Sequence, residues 1–204
     1  MKLSVHYCTY GFSNCYILGS ENEESRDAII IDPASINRHI LDDIENGGFD
    51  IKGVLITHAH LNHVHGLRTL KKIYDTEIFA VNRVIQYHNT TTVKDGDKLK
   101  IGIFEVEVIS IPGHSSDSAV YRIENLLFTG DVLTAGLTGR TASAYGETVQ
   151  INNLRSKVLS LPGDYTVLPG HGPPSSLDAE RRFNAGITAY DINRVKRPVF
   201  KLNI

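Results

Sequence analysis

Cysteine is scarce in this 204-residue chain, with Cys8 and Cys15 the only two. Two cysteines cannot build a disulfide framework, and their spacing matches no zinc knuckle. Cys15 sits in the run Asn-Cys-Tyr-Ile-Leu and reads as a small core residue. Excess charge is also missing. Lys and Arg total 21 against 23 Asp and Glu, a net charge of −2, so no basic field draws the chain to nucleic acid or to a membrane surface. No apolar run approaches bilayer-spanning length, and the first residues, Met-Lys-Leu-Ser-Val-His-Tyr-Cys, carry no export-signal pattern. The expected location is the cytoplasm. Linkers are lacking too, so residues 1–185 read as one domain with a 186–204 tail. That tail carries Arg194, Lys196 and Arg197 and reads as a docking arm or a loose end.

What the chain does have is histidine in one place. Val54-Leu55-Ile56 reads as the end of a buried strand, Thr57 breaks it, and His58, His60, His63 and His65 follow within eight residues. Neutral imidazole is the commonest protein ligand for transition metals, and a strand end fixes where each ring points. His58 and His60, two apart on an extended turn, aim at one point; His63, near a helix start, reaches a second. His65 at that helix start is expected to point away. His6, His39 and His88 have no such company and read as structural or exposed.

The remaining pattern is strand-rich. Strands are expected over 2–7, 14–19, 27–31, 78–81, 98–101, 103–111, 119–123, 126–129 and 166–168. Helices are expected after a Ser35 cap (Ile36, Ile40, Leu41 and Ile44 inward), from about His63 to Ile73, from Glu147 to Leu159 (Val149, Leu154, Val158 and Leu159 inward), and from Ser176 to Phe183. Residues 82–97 carry little pattern, and 132–146 read as a long loop. Strand pairs in both halves with helices between them fit an α/β fold of two packed sheets with helices outside.

Four strand ends then share one kind of punctuation: Thr57-His58, Pro112-Gly113-His114, Thr129-Gly130-Asp131 and Pro169-Gly170-His171-Gly172. Each puts a metal-ligating residue type after an apolar run, beside small residues that let the backbone turn. The motif Thr57-His58-x-His60-x-Asn62-His63-x-x-Gly66, with His114, Asp131 and His171, resembles the metallo-β-lactamase superfamily. Within it the chain is most similar to compact glyoxalase-II-like hydrolases; Phe12-Ser13-Asn14-Cys15, Asp32-Pro33 and Gly139-Arg140 fit that subgroup.

The resemblance implies a four-layer αββα sandwich with metals at one edge. It implies a first metal on His58, His60 and His114, a bridge through Asp131, and a second metal on His63 and His171. It also implies a hydrolase of small-molecule thioesters or esters, in which a metal-bound hydroxide attacks the carbonyl. Arg140 and Tyr145, on the loop after Asp131, are candidates to hold an anionic substrate group. Oligomeric state is left open.

Asn62 departs from the family, which usually has aspartate there. An amide offers a carbonyl oxygen but no charge and no proton acceptor. The second metal is therefore expected to bind more weakly, with one tight zinc site retained. Two other readings follow. A mononuclear Fe2+ oxidoreductase resembling persulfide dioxygenases would use His58, His114 and Asp131 as a facial triad. A non-catalytic metal-binding module is motivated by Asn62 alone and opposed by the otherwise complete ligand set.

Overall fold

The computed structural model describes residues 1–22 and 24–196, the side chains of 192–196 excepted. Two six-stranded sheets form its centre. The first runs in the order Lys2–Cys8, Ser13–Gly19, Asp27–Ile31, Asp50–Leu55, Glu77–Ala80, Thr91–Thr92. The second runs Ser175–Ser176, Thr166–Pro169, Leu126–Gly130, Ala119–Ile123, Phe104–Ser110, Lys98–Ile101.

Alternation along these strands builds three apolar interfaces, because successive side chains point to opposite faces. Tyr16, Leu18, Ile29, Ile31 and Leu55 meet Phe104, Val106, Tyr121 and Phe128 between the sheets. Cys15, Ile17, Ile30, Val54 and Ile78 face outward onto Ile40, Ile44, Leu67 and Leu70. These last belong to helices α1 (Arg38–Gly47) and α3 (Leu67–Ile73). Ile109, Val120, Leu127 and Val167 face the other way, onto Ile151's neighbours Leu154 and Val158 and onto Leu177. Three interfaces separate four layers, so the αββα expectation holds. Sheets buried on both faces explain why the strands read as nearly continuous apolar runs.

Helix boundaries differ from the sequence reading for local reasons. Asn37 caps α1, its side chain accepting from Ile40 N at 3.1 Å. Ser35, the expected cap, lies two residues before Asn37, where the chain passes directly against Gly66 and a Cβ on that glycine would lie 2.6 Å from Pro33 O. The helix expected from His63 to Ile73 is two helices, α2 (Leu61–Val64) and α3. Gly66 N donates to Pro33 O at 2.9 Å, while the Asn62 carbonyl is taken by Ser13 Oγ at 2.6 Å, so the helical ladder breaks there.

Helix α4 starts earlier than expected, at Ala144 behind the Ser143 cap, and ends at Asn153. A π turn, Leu154–Val158, continues it and turns both apolar ends inward. Val149 is only half-buried; Gln150 and Ile151 are the inward residues. The loop after Asp131 holds a small hairpin, Leu133–Thr134 with Leu137–Thr138. Helix α5 (Leu177–Phe183) lies where a helix was expected, with Ser176 as its cap. The stretch from 186 opens as helix: α6 spans Ala185–Lys196, with Tyr190 buried and its hydroxyl 3.2 Å from Thr148 Oγ1. Arg194 and Lys196 have no described side chains, and Arg197 lies outside the described residues. Among the described residues no helix is long and apolar enough to cross a membrane.

Candidate metal centre

The first-sheet strands Asp27–Ile31 and Asp50–Leu55 run parallel and side by side, so Asp32 and Thr57 emerge at one edge together. Asp32 accepts from Thr57 N at 2.8 Å and Thr57 Oγ1 at 2.6 Å. Thr57 Oγ1, having given its proton to Asp32, accepts from His58 Nδ1 at 3.1 Å. His58 therefore presents a lone pair on Nε2. His114 Nδ1 donates to Arg140 O at 2.8 Å, which leaves its Nε2 a lone pair as well. Both nitrogens face His60 Nδ1, at 2.9 and 3.0 Å. Asp131 Oδ2 closes the group, 3.8 Å from His58 and 3.6 Å from His114.

Asp131 Oδ1 turns to a second group. It lies 3.4 Å from His63 Nε2 and 2.7 Å from His171 Nδ1. His63 Nδ1 donates to Asp32 Oδ2 at 2.9 Å, so the buried Nε2 faces Asp131 with no hydrogen-bond partner. His171 is held from behind, its Nε2 donating to Gly11 O at 3.1 Å with the Asn62 amide 3.0 Å away.

These two sets converge on points from which the Thr57 hydroxyl, Asp32 and the carbonyls of Arg140 and Gly11 have drawn the ring protons of His58, His63, His114 and His171. Only a cation satisfies such an arrangement. Ligand atoms of His58, His60, His114 and Asp131 lie within 4.8 Å of one another, as do those of His63, Asp131 and His171. The residues fit a metal ion.

Electrostatics gives the same picture. Burial, with the neighbouring His63, pushes His58 down to about 3, so it is neutral and ready to ligate. Burial would also lower His63, but Asp32 and Asp131 outweigh it and raise the ring to about 10; in their field a proton takes the place a cation would fill. Asp131 is held well below the usual carboxylate range, against its burial, by His171 and His63.

Glycines let the two groups close up. A Cβ on Gly170 would lie 2.5 Å from both Asp131 Oδ1 and His63 Cε1, and one on Gly139 would lie 1.9 Å from Asp131 O. The Phe12-Ser13-Asn14 turn braces the same corner. Asn14 donates from its backbone to Gly170 O and from its side chain to Pro169 O and Gly172 O.

The structure thus brings together His58, His60, His63, His114, Asp131 and His171, with Asn62 against His171. His65 faces away, stacked on Tyr10 with ring centroids 4.0 Å apart. Arg140 touches the centre through its carbonyl, its side chain being exposed; Tyr145 is 79% exposed. His6 pairs with Asp43, and His39 is exposed.

Three supporting roles escaped the sequence reading. Asp32 anchors Thr57 and His63. Asp117 accepts from Ala59 N at 2.9 Å, between His58 and His60. Gln150 donates to Gly139 O at 2.9 Å and packs against Gly113, so it touches both segments that hold His114. Asp32 was visible as an aspartate after a buried strand and within the Asp32-Pro33 motif, but without its role; the other two had no signal.

Converging histidines and one shared carboxylate at the edge of an αββα sandwich define a metal-binding enzyme fold. The chain belongs to the metallo-beta-lactamase superfamily, whose sequence profile matches residues 8–171. It is 27% identical over 208 residues to hydroxyacylglutathione hydrolase GloC of Haemophilus influenzae, covering 90% of this chain and 97% of that protein. It is 30% identical over 165 residues to BaeB of Bacillus velezensis, a probable polyketide biosynthesis zinc-dependent hydrolase, covering 77% and 72%. The crystal structure of ETHE1 from Myxococcus xanthus shares the fold with a TM-score of 0.79 at 22% identity, covering 98% of this chain and 93% of that one.

Proposed function

We propose that the protein is a metal-dependent hydrolase of thioesters or esters, with zinc as the metal. The observation that carries this reading is the convergence of acceptor atoms around Asp131, with His58, His63, His114 and His171 fixed in their tautomers by partners behind them. His58, His60, His114 and Asp131 are assigned the tighter metal, and His63, His171 and Asp131 the weaker one. When bound, such a metal lowers the pKa of a coordinated water towards ~7 and polarises a carbonyl. The chain's own part is to hold the site rigid and to supply a single negative charge, from Asp131. Asn62 adds no charge and takes no proton; its amide lies against the His171 ring. Arg140 and Tyr145, exposed on the rim after Asp131, are assigned to an anionic substrate group.

Elemental analysis of the purified chain, with Asn62→Asp in parallel, tests the assignment. One zinc per native chain is expected, with occupancy rising towards two in the variant. One iron per chain would favour the oxidoreductase, and no metal even after reconstitution would overturn both.

Gln150→Leu tests the support behind His114. The variant leaves Gly139 O unpaired in a half-buried position, which costs about 1 kcal/mol of stability in denaturant unfolding, the low end for a lost partner. It is also expected to weaken metal retention against a competing chelator by about tenfold, the low end for residues behind a ligand. A stability loss with metal retention unchanged would reduce Gln150 to packing.

A further inference from the structure

Between α3 and a hairpin of Val84–Ile85 with His88–Asn89 lies a cavity of about 390 Å³, lined by Arg68, Lys71, Lys72, Gln86, Tyr87 and His88. No acidic residue lines it. Of the three cations lining it, Lys71 sits beside a carboxylate, Asp75, at 3.4 Å. Among the described residues, Arg68 and Lys72 have no such partner within 4.0 Å, and both are exposed.

The hairpin turn is strained. Gln86 and Tyr87 both have left-handed backbones, φ 49° and 68°, at the two positions where Asn-Gly is usual. Tyr87 stands out at the tip, 92% exposed, while Ile85, which precedes the turn, is pinned in the core. Backbone strain of this kind gathers at binding sites. The hairpin is also tied to the metal edge. Asn82, just before it, donates to Asp117 Oδ2 at 2.7 Å, and the same oxygen accepts from Ala59 N between His58 and His60.

We propose that this cleft binds the phosphorylated, ring-bearing end of a nucleotide. Arg68 and Lys72 take the phosphates, with the planar guanidinium suited to two oxygens at once. The Tyr87 ring offers a face for a purine, and Gln86 and His88 supply neutral polar contacts. A peptide thiol would present carboxylates but no ring. Resting on the thioester reading, the nucleotide is the distal end of a coenzyme thiol carrier, and its binding energy anchors an acyl group that the metal edge alone would hold weakly.

Calorimetric titration of the full chain with coenzyme A, ADP and glutathione tests this, alongside hydrolysis of an S-acetyl thioester of N-acetylcysteamine, which has no nucleotide. Coenzyme A and ADP are expected to bind at least tenfold more tightly than glutathione. Affinity should fall with added salt and drop about tenfold or more in Arg68→Ala/Lys72→Ala, and less in Tyr87→Ala. Turnover of the short thioester should be equal in all three proteins. Wild-type protein that fails to bind ADP or coenzyme A, binds glutathione equally well, or is unaffected by the double substitution would overturn the proposal. Nucleotide binding as expected with no turnover of the short thioester would overturn the hydrolase reading and leave the cleft assigned.

Discussion

Replacing Asp131 by asparagine is expected to empty both metal groups at once and to lower kcat/KM by about a thousandfold, roughly 4 kcal/mol of barrier at 1.36 kcal/mol per decade. Asp131 supplies the only carboxylate in either group, Oδ2 to the one and Oδ1 to the other. The asparagine keeps the shape and removes the charge. What remains is five imidazoles, and a divalent ion among neutral ligands in a half-enclosed site lacks the compensation that makes its desolvation affordable. Elemental analysis and hydrolysis of a short thioester check the two halves of the result. Loss of one metal with the other retained would show that the groups are independent sites rather than one centre sharing a carboxylate.

The candidate ligands were legible because their chemistry coincides with strand ends. Each of His58, His114, Asp131 and His171 follows an apolar run whose alternation is hidden by burial on both faces, and a buried run that stops at a histidine is conspicuous. The support behind them was not legible, since it depends on which strands lie side by side. Asp32 and Thr57 are 25 residues apart and meet only through the parallel pairing of their strands. Arg140 was read for its side chain, yet the atom that reaches His114 is its carbonyl oxygen, which any residue has. The hairpin at 84–89 has two-residue strands and a turn without glycine, so no period or turn signal announced it. Where α2 gives way to α3 is set by Pro33 O and Ser13 Oγ claiming the backbone groups around Gly66, a long-range competition that local helix periodicity cannot contain.

Asp32→Ala should then have the largest effect on stability, about 3–5 kcal/mol in denaturant unfolding, the usual cost of removing one partner from a buried charged network. The carboxylate is fully enclosed and accepts three hydrogen bonds, from Thr57 N, Thr57 Oγ1 and His63 Nδ1; all three donors lose their partner together. Its effect on pH dependence separates this role from simple packing. In the metal-free protein His63 titrates near 10 rather than its usual 6.5, raised by Asp32 and Asp131 against the pull of burial. A raised histidine stabilises the fold fully below its unfolded value, and that contribution is lost as pH climbs towards the folded value. Metal-free wild type should therefore lose stability steadily between about pH 6.5 and 10, and the variant should show a distinctly shallower slope, the remainder coming from Asp131 and from His171, which Asp131 also raises. Saturating zinc should flatten the wild-type curve, because the nitrogen that took the proton is then engaged. A variant as steep as wild type would assign the His63 shift to Asp131 alone and reduce Asp32 to an anchor for Thr57.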